Sequence, residues 1–116
     1  ALETINSMLF LHVTLRVLNL AHNRLTRVSA EIANLYNLTE LYLDGNALKN
    51  VPEQLGSLKQ LEVLSLRENH LRNIPQTIGT LTHLRVLYLS KNKLREFPAF
   101  LCVLKHLEAL YFDENE

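Results

Sequence analysis

The side chains best suited to binding chemistry in this 116-residue chain recur at a fixed spacing. Asn23, Asn46, Asn69, Asn92 and Asn115 follow one another at steps of 23. A primary amide offers two donors and an acceptor. A column of them is suited to satisfying backbone groups left bare at a repeated turn. Tyr88 and Tyr111 are one step apart, and Tyr42 lies two steps before Tyr88. His83 and His106 share one place of the period, but two ligands do not make a metal site without a third. His12, His22 and His70 show no motif spacing. A single cysteine, Cys102, excludes a disulfide framework and a thiolate zinc cage within the chain. No Gly-rich phosphate loop, nucleophile elbow, kinase motif or zincin motif is present. No cofactor or catalytic residue is expected, because the histidines and carboxylates are scattered by the repeat rather than gathered at one point.

The elements that must carry these residues follow from the leucines, which number 27. With Leu15 as place one of the period, Leu15, Leu38, Leu61, Leu84 and Leu107 form a column. Leu18, Leu41, Leu64, Leu87 and Leu110 repeat it at place four, and Leu20, Leu43, Leu66, Leu89 and Phe112 at place six. The asparagines hold place nine. Apolar residues hold places eleven, fourteen and eighteen, and Pro52, Pro75 and Pro98 hold place fifteen. Places three to seven alternate between apolar and variable, the period-two signature of a short strand. Leu55, Leu58 and Leu61 are spaced by three, which predicts a helical turn on the return path. Coils of this kind stack their strands into a parallel sheet, and each depends on its neighbours to bury its apolar edge.

The segment Leu38-Thr39-Glu40-Leu41-Tyr42-Leu43-Asp44-Gly45-Asn46-Ala47-Leu48 carries the pattern L-x-x-L-x-L-x-x-N-x-L in full, and the chain resembles the leucine-rich repeat family over its whole length. The 23-residue period with apolar-Pro resembles the intracellular, Ras-group class of these repeats. The resemblance implies an α/β solenoid: a curved parallel sheet on the concave face, with short helical or 3-10 turns on the return side. Ser29 and Asn6 depart from the pattern where proline is expected, and His12 where leucine is. Leu11 or Val13 is expected to fill the place His12 leaves. One solenoid over residues 1–116, about five repeats cut mid-repeat at both ends, is the expected organisation, as for a stretch of a longer array.

Composition narrows the function. Twelve Lys+Arg balance twelve Asp+Glu, hydrophobic residues make up 47% and charged residues 21%. That balance, with no aromatic interleaving among the basic residues, excludes a general nucleic-acid binder, and the hydrophobic content excludes intrinsic disorder. No apolar run approaches the length of a membrane span.

The outward strand places would form the concave face. Place five reads Asn19, Tyr42, Ser65, Tyr88, Tyr111, and place seven reads Ala21, Asp44, Arg67, Ser90, Asp113. Tyrosines beside Val63 and Val86 are the amphipathic anchors of protein interfaces. Tyr42, Tyr88 and Tyr111 are therefore the expected partner-binding anchors, with Glu40, Asp44, Arg67 and Lys91 setting charge complementarity. Arg24, Lys49, His70, Arg72, Lys93 and Arg95 form a one-sided basic rim after the asparagines. Cys102, in a column with Ala33, Gly56 and Gly79, is expected to be packed. Met8, Phe10 and Leu11, and Phe100 with Val103, are candidate second contact patches.

The expected function is a non-catalytic protein-interaction scaffold, cytoplasmic and without membrane insertion or nucleic acid. By analogy with the Ras-group repeats, it would act in signalling around small GTPases or phosphatases. The alternative is a targeting or substrate-positioning domain of a larger cyclase, kinase, phosphatase or deadenylase, whose catalytic part lies outside this stretch.

Overall fold

The computed structural model describes residues 1–115, and Glu116 lies outside the described residues. Five three-residue strands, β1 (Val17–Asn19), β2 (Glu40–Tyr42), β3 (Val63–Ser65), β4 (Val86–Tyr88) and β5 (Ala109–Tyr111), pair in parallel in sequence order. The pairing is in strict repeat register: Leu18, Leu41, Leu64, Leu87 and Leu110 face one another along the sheet. Return turns run over Ser7–Leu11, Ala30–Asn34, Glu53–Ser57, Gln76–Thr80 and Ala99–Val103, and all five are 3-10 in geometry. Five residues are too few to propagate an α-helix, so the tighter turn prevails.

The core lies between the sheet and these turns. Leu41, Leu64 and Leu87 from the strands, and Leu43, Leu66 and Leu89 just after them, share the core with Ile32, Leu55 and Ile78 from the turns, all fully buried. A core made of one residue type in columns gives each coil the same shape, which lets the coils stack without insertion.

The departures at the first two turns have a local reason. Where later turns begin at proline, Asn6 accepts a hydrogen bond from the Met8 amide at 2.9 Å and Ser29 accepts one from Glu31 at 3.1 Å. Pro52, Pro75 and Pro98 make no side-chain cap. The two solutions are physically equivalent: proline presets φ, and the polar side chain satisfies an exposed amide.

The first coil differs from expectation in what it buries. Leu11 is 72% exposed and Val13 38%, so neither fills the place left by His12. Phe10, expected on the surface, is buried at 2% and joins the core.

Cys102 is exposed rather than packed. Small residues are needed in its column because the next coil lies against it. A Cβ on Gly56 would approach the Thr77 backbone oxygen to 2.6 Å, and one on Gly79 would approach the Phe100 ring to 3.2 Å. Cys102 belongs to the last turn, and no described residue stacks on it in that way. Phe100 is half-buried over Gly79, whereas Val103 and Met8 are exposed.

A column with no sequence signature emerges at place eight. His22, Gly45, Glu68, Lys91 and Glu114 all have φ between 57° and 67°. The left-handed turn aims the first four of these amides at the next coil: His22 donates to the Asp44 carbonyl at 2.7 Å, Gly45 to Arg67 at 2.9 Å, Glu68 to Ser90 at 3.0 Å and Lys91 to Asp113 at 3.0 Å. Non-glycine residues are strained there by roughly 1–2 kcal/mol. Replacing Lys91 with Gly should therefore raise stability by about 0.5–1 kcal/mol, net of the larger chain entropy glycine loses on folding. Gly45→Ala should lower it by about 1–2 kcal/mol. Here the added Cβ would also clash with the His22 ring. Urea midpoints of the two variants check this, and shifts of the same sign would contradict it.

Candidate functional site

The five asparagines tie one coil to the next as well as closing their own turns. The Asn69 side-chain oxygen accepts from the Leu48 amide at 3.1 Å. Its Nδ2 donates to the Leu43 carbonyl of the preceding coil at 3.0 Å and to the Leu66 carbonyl of its own at 3.1 Å. Asn46 and Asn92 repeat this pattern. Asn115 accepts from Leu94 and donates to Leu89 and Phe112. Asn23 accepts from Leu2 at 2.8 Å, but among the described residues it donates only within its own coil, to Leu20 and Ala21. This ladder holds the strands at one level, so side chains at places three, five and seven form continuous rows on the concave face.

Along place five, Tyr42, Ser65, Tyr88 and Tyr111 are neighbours in register. Tyr88 and Tyr111 stack with centroids 4.8 Å apart and planes 5° from parallel. Ser65 is 2% exposed although it points outward, because larger side chains stand on both sides of it. Tyr111 remains 46% exposed. The aromatic row is therefore open to a partner and stiffened by its own stacking.

Tyr42 is set differently. Its hydroxyl donates to Glu40 Oε1 at 2.6 Å. That bond first, then burial and the nearby Glu40 charge, push the phenol up from 10.0 to about 12. Because the folded-state value is the higher one, the stabilisation is complete below pH 10.0 and is lost as pH rises toward about 12. In an ultraviolet titration, Tyr42→Phe should remove the phenolate step near pH 12, and Glu40→Gln should move that step down toward 10. An unchanged curve in Glu40→Gln would refute the assignment.

The charged candidates fall into pairs. Arg67 bonds to Glu68, and Lys91 Nζ lies 3.7 Å from Glu114. Asp44 is not paired with Arg67: its Oδ1 is shielded from solvent and accepts no hydrogen bond. A shielded carboxylate oxygen without a donor is costly. Ser90 donates its hydroxyl to Asp113, which holds that carboxyl below its ordinary range.

Sequence reasoning overlooked one row. Glu62, Arg85 and Glu108 occupy place two on consecutive coils, and Arg85 bonds to Glu108 at 2.5 Å and to Glu62 at 3.4 Å. Glu108 first, and then Glu62, hold the guanidinium above its already high value. The alternation acid-base-acid at a step of 23 was the available signal. His83 and His106 line a groove beside this row, and His83 Nδ1 lies 3.1 Å from the Lys59 carbonyl. Among the described residues no group of three His, Cys, Asp or Glu could hold a metal ion, and no helix is long and apolar enough to cross a membrane.

The acids at places three, five and seven of the concave face, Glu40, Asp44 and Asp113, thus outnumber its one base there, Arg67. Among the described residues, Glu40, Asp44 and Asp113 have no basic ion-pair partner within 4.0 Å, whereas Arg67, Arg85 and Lys91 each have an acidic one. The face is aromatic and acidic.

A family model described as leucine rich repeat matches residues 2–48, 13–71 and 59–116. No curated protein matches the chain. Among solved structures, a leucine-rich repeat protein of Leptospira interrogans is 33% identical, with a TM-score of 0.90 over 99% of this chain and 30% of its own. The plant peptide hormone receptor RGFR1, solved in complex with RGF2, is 30% identical, with a TM-score of 0.85 over 97% of this chain and 19% of its own. Internalin C2 of Listeria monocytogenes is 25% identical, with a TM-score of 0.86 over 99% of this chain and 50% of its own. The chain therefore spans half or less of the length of these solved structures.

Proposed function

The chain belongs to the leucine-rich repeat family, and from that premise we propose that it is a non-catalytic protein-interaction module that binds a basic segment of a partner protein on its concave face. The observation that carries this reading is the open tyrosine row, Tyr88 stacked on Tyr111, set among carboxylates that lack a basic partner. Aromatic faces attract cationic side chains, Arg above all. The negative charge of the half-buried Glu40 and Asp44 carboxylates would draw the same cations toward the row. Arg67 and Lys91, each already paired with an acid, would set register rather than affinity. The plant receptor's complex with RGF2 supports partner binding as a use of this fold. On this reading the module is a stretch of a longer array of the intracellular, Ras-group type, acting as a cytoplasmic signalling scaffold.

Panning a displayed random-peptide library on the immobilised chain tests the proposal. Peptides rich in Arg and Lys should be enriched, and they should lose binding to Tyr88→Ala. Enrichment of acidic peptides, or of peptides that bind Tyr88→Ala equally well, would overturn it.

A further inference from the structure

The edge opposite in charge to the concave face carries a second feature. Lys49 and Arg72 occupy place twelve on consecutive coils, and His70 and Lys93 occupy place ten on consecutive coils. Together with Asn50 and Asn73 they line a groove of about 440 Å³. No carboxylate lines it. Among the described residues, none of these six side chains makes a hydrogen bond or an ion pair within the chain; Glu96, next to Arg95 on the following coil, pairs with none of them. This contrasts with the concave side, where Arg67, Arg85 and Lys91 all have acidic partners.

Adjacent coils are about 4.8 Å apart along the sheet. Cations held at that spacing repel one another, and among the described residues no ion pair offsets the repulsion. We propose that this groove binds a small, free, multiply charged phosphate of the diphosphate type. A single carboxylate would neutralise only one of the three permanent charges of Lys49, Arg72 and Lys93. A diphosphate brings several charges and many acceptor oxygens into a volume that fits the groove. The Arg72 guanidinium suits two phosphoryl oxygens at once, the lysines act as point charges, and the two amides donate to the remaining oxygens. Among the described residues no Phe, Tyr or Trp lines the groove, and one imidazole, His70, makes no succession of stacking platforms, which disfavours a nucleic-acid track.

Calorimetric titration of the chain with inorganic pyrophosphate is the test, with orthophosphate at matched ionic strength as comparison. Pyrophosphate should bind saturably and more tightly than orthophosphate. Arg72→Ala and Lys93→Ala should each weaken it by roughly tenfold or more, as expected for losing one charge-assisted contact. All the lining residues are exposed, so these variants should keep the wild-type unfolding curve. Lys105→Ala, a basic change outside the groove, and Tyr88→Ala, on the concave face, should leave pyrophosphate affinity unchanged. Absence of saturable binding, or equal affinity in Arg72→Ala and wild type, overturns the proposal. So does a single-stranded oligonucleotide or a doubly phosphorylated peptide that binds more tightly than pyrophosphate.

Discussion

Asn69→Ala should destabilise the chain by about 2–3 kcal/mol, the cost of leaving buried backbone groups without partners. Asn69 is 4% exposed, and it alone answers the Leu48 amide while bridging the Leu43 and Leu66 carbonyls. Truncation strands groups on two coils at once, so the loss spreads beyond the mutated turn. For a domain of this size it should lower the melting temperature by roughly 10 °C. Asn73→Ala, at an exposed position that makes no internal hydrogen bond, should change stability by about 0.5 kcal/mol or less. Asn69→Asp separates the two halves of the amide. It keeps the acceptor for Leu48 but turns a second oxygen toward two carbonyls, and at neutral pH it should be worse than alanine. Thermal unfolding of the three variants decides the matter. Equal effects of Asn69→Ala and Asn73→Ala would contradict the ladder.

The second large effect is on binding. Tyr88→Ala should weaken a bound partner or selected peptide by about 2 kcal/mol or more, as loss of a central aromatic anchor does. The same change should cost folding only about 0.5–1.5 kcal/mol, the worth of one aromatic pair, because Tyr88 points out of the sheet. Tyr88 and Tyr111 stack at 4.8 Å, so each ring holds the other in place. The double variant should therefore lose less than the sum of the single variants. Gln54→Ala and Gln76→Ala, on the return side, should leave affinity unchanged. The experiment is titration calorimetry with a peptide selected on the wild-type chain, beside melting curves for each variant. Strict additivity of Tyr88→Ala and Tyr111→Ala would argue that the stack does not act as one surface. Loss of binding in the glutamine variants alone would move the interface to the return side.

Much of this architecture was legible because a stacked repeat converts sequence period into spatial column. Once Leu18 and Leu41 hold the same place, strand register follows, and the tyrosine row follows from register. The five asparagines were readable for the same reason. Their bridging of two coils was not, since a period says which residues align and not which backbone atoms each side chain reaches. Cys102 and Phe10 were misjudged on similar grounds. Burial at a return turn depends on the coil stacked against it, and Cys102 has no described residue over it whereas Phe10 lies in the core.

What the sequence determined by itself is the solenoid, its parallel sheet, its core columns and the face on which Tyr42, Tyr88 and Tyr111 stand. These depend on apolar periodicity, which is a property of residue type and spacing. The packing of coil on coil, not residue type, set the state of the polar groups. It tied Tyr42 to Glu40, left Asp44 without a donor, paired Arg67, Arg85 and Lys91 with acids, and left Lys49, Arg72 and Lys93 unpaired. It also placed His22, Glu68, Lys91 and Glu114 in the left-handed region, where their types give no hint of it. Hydrophobic burial is non-directional and tolerates small errors of position. Hydrogen bonds, ion pairs and backbone strain depend on ångström distances and angles, and those are settled only when neighbouring coils have closed on one another.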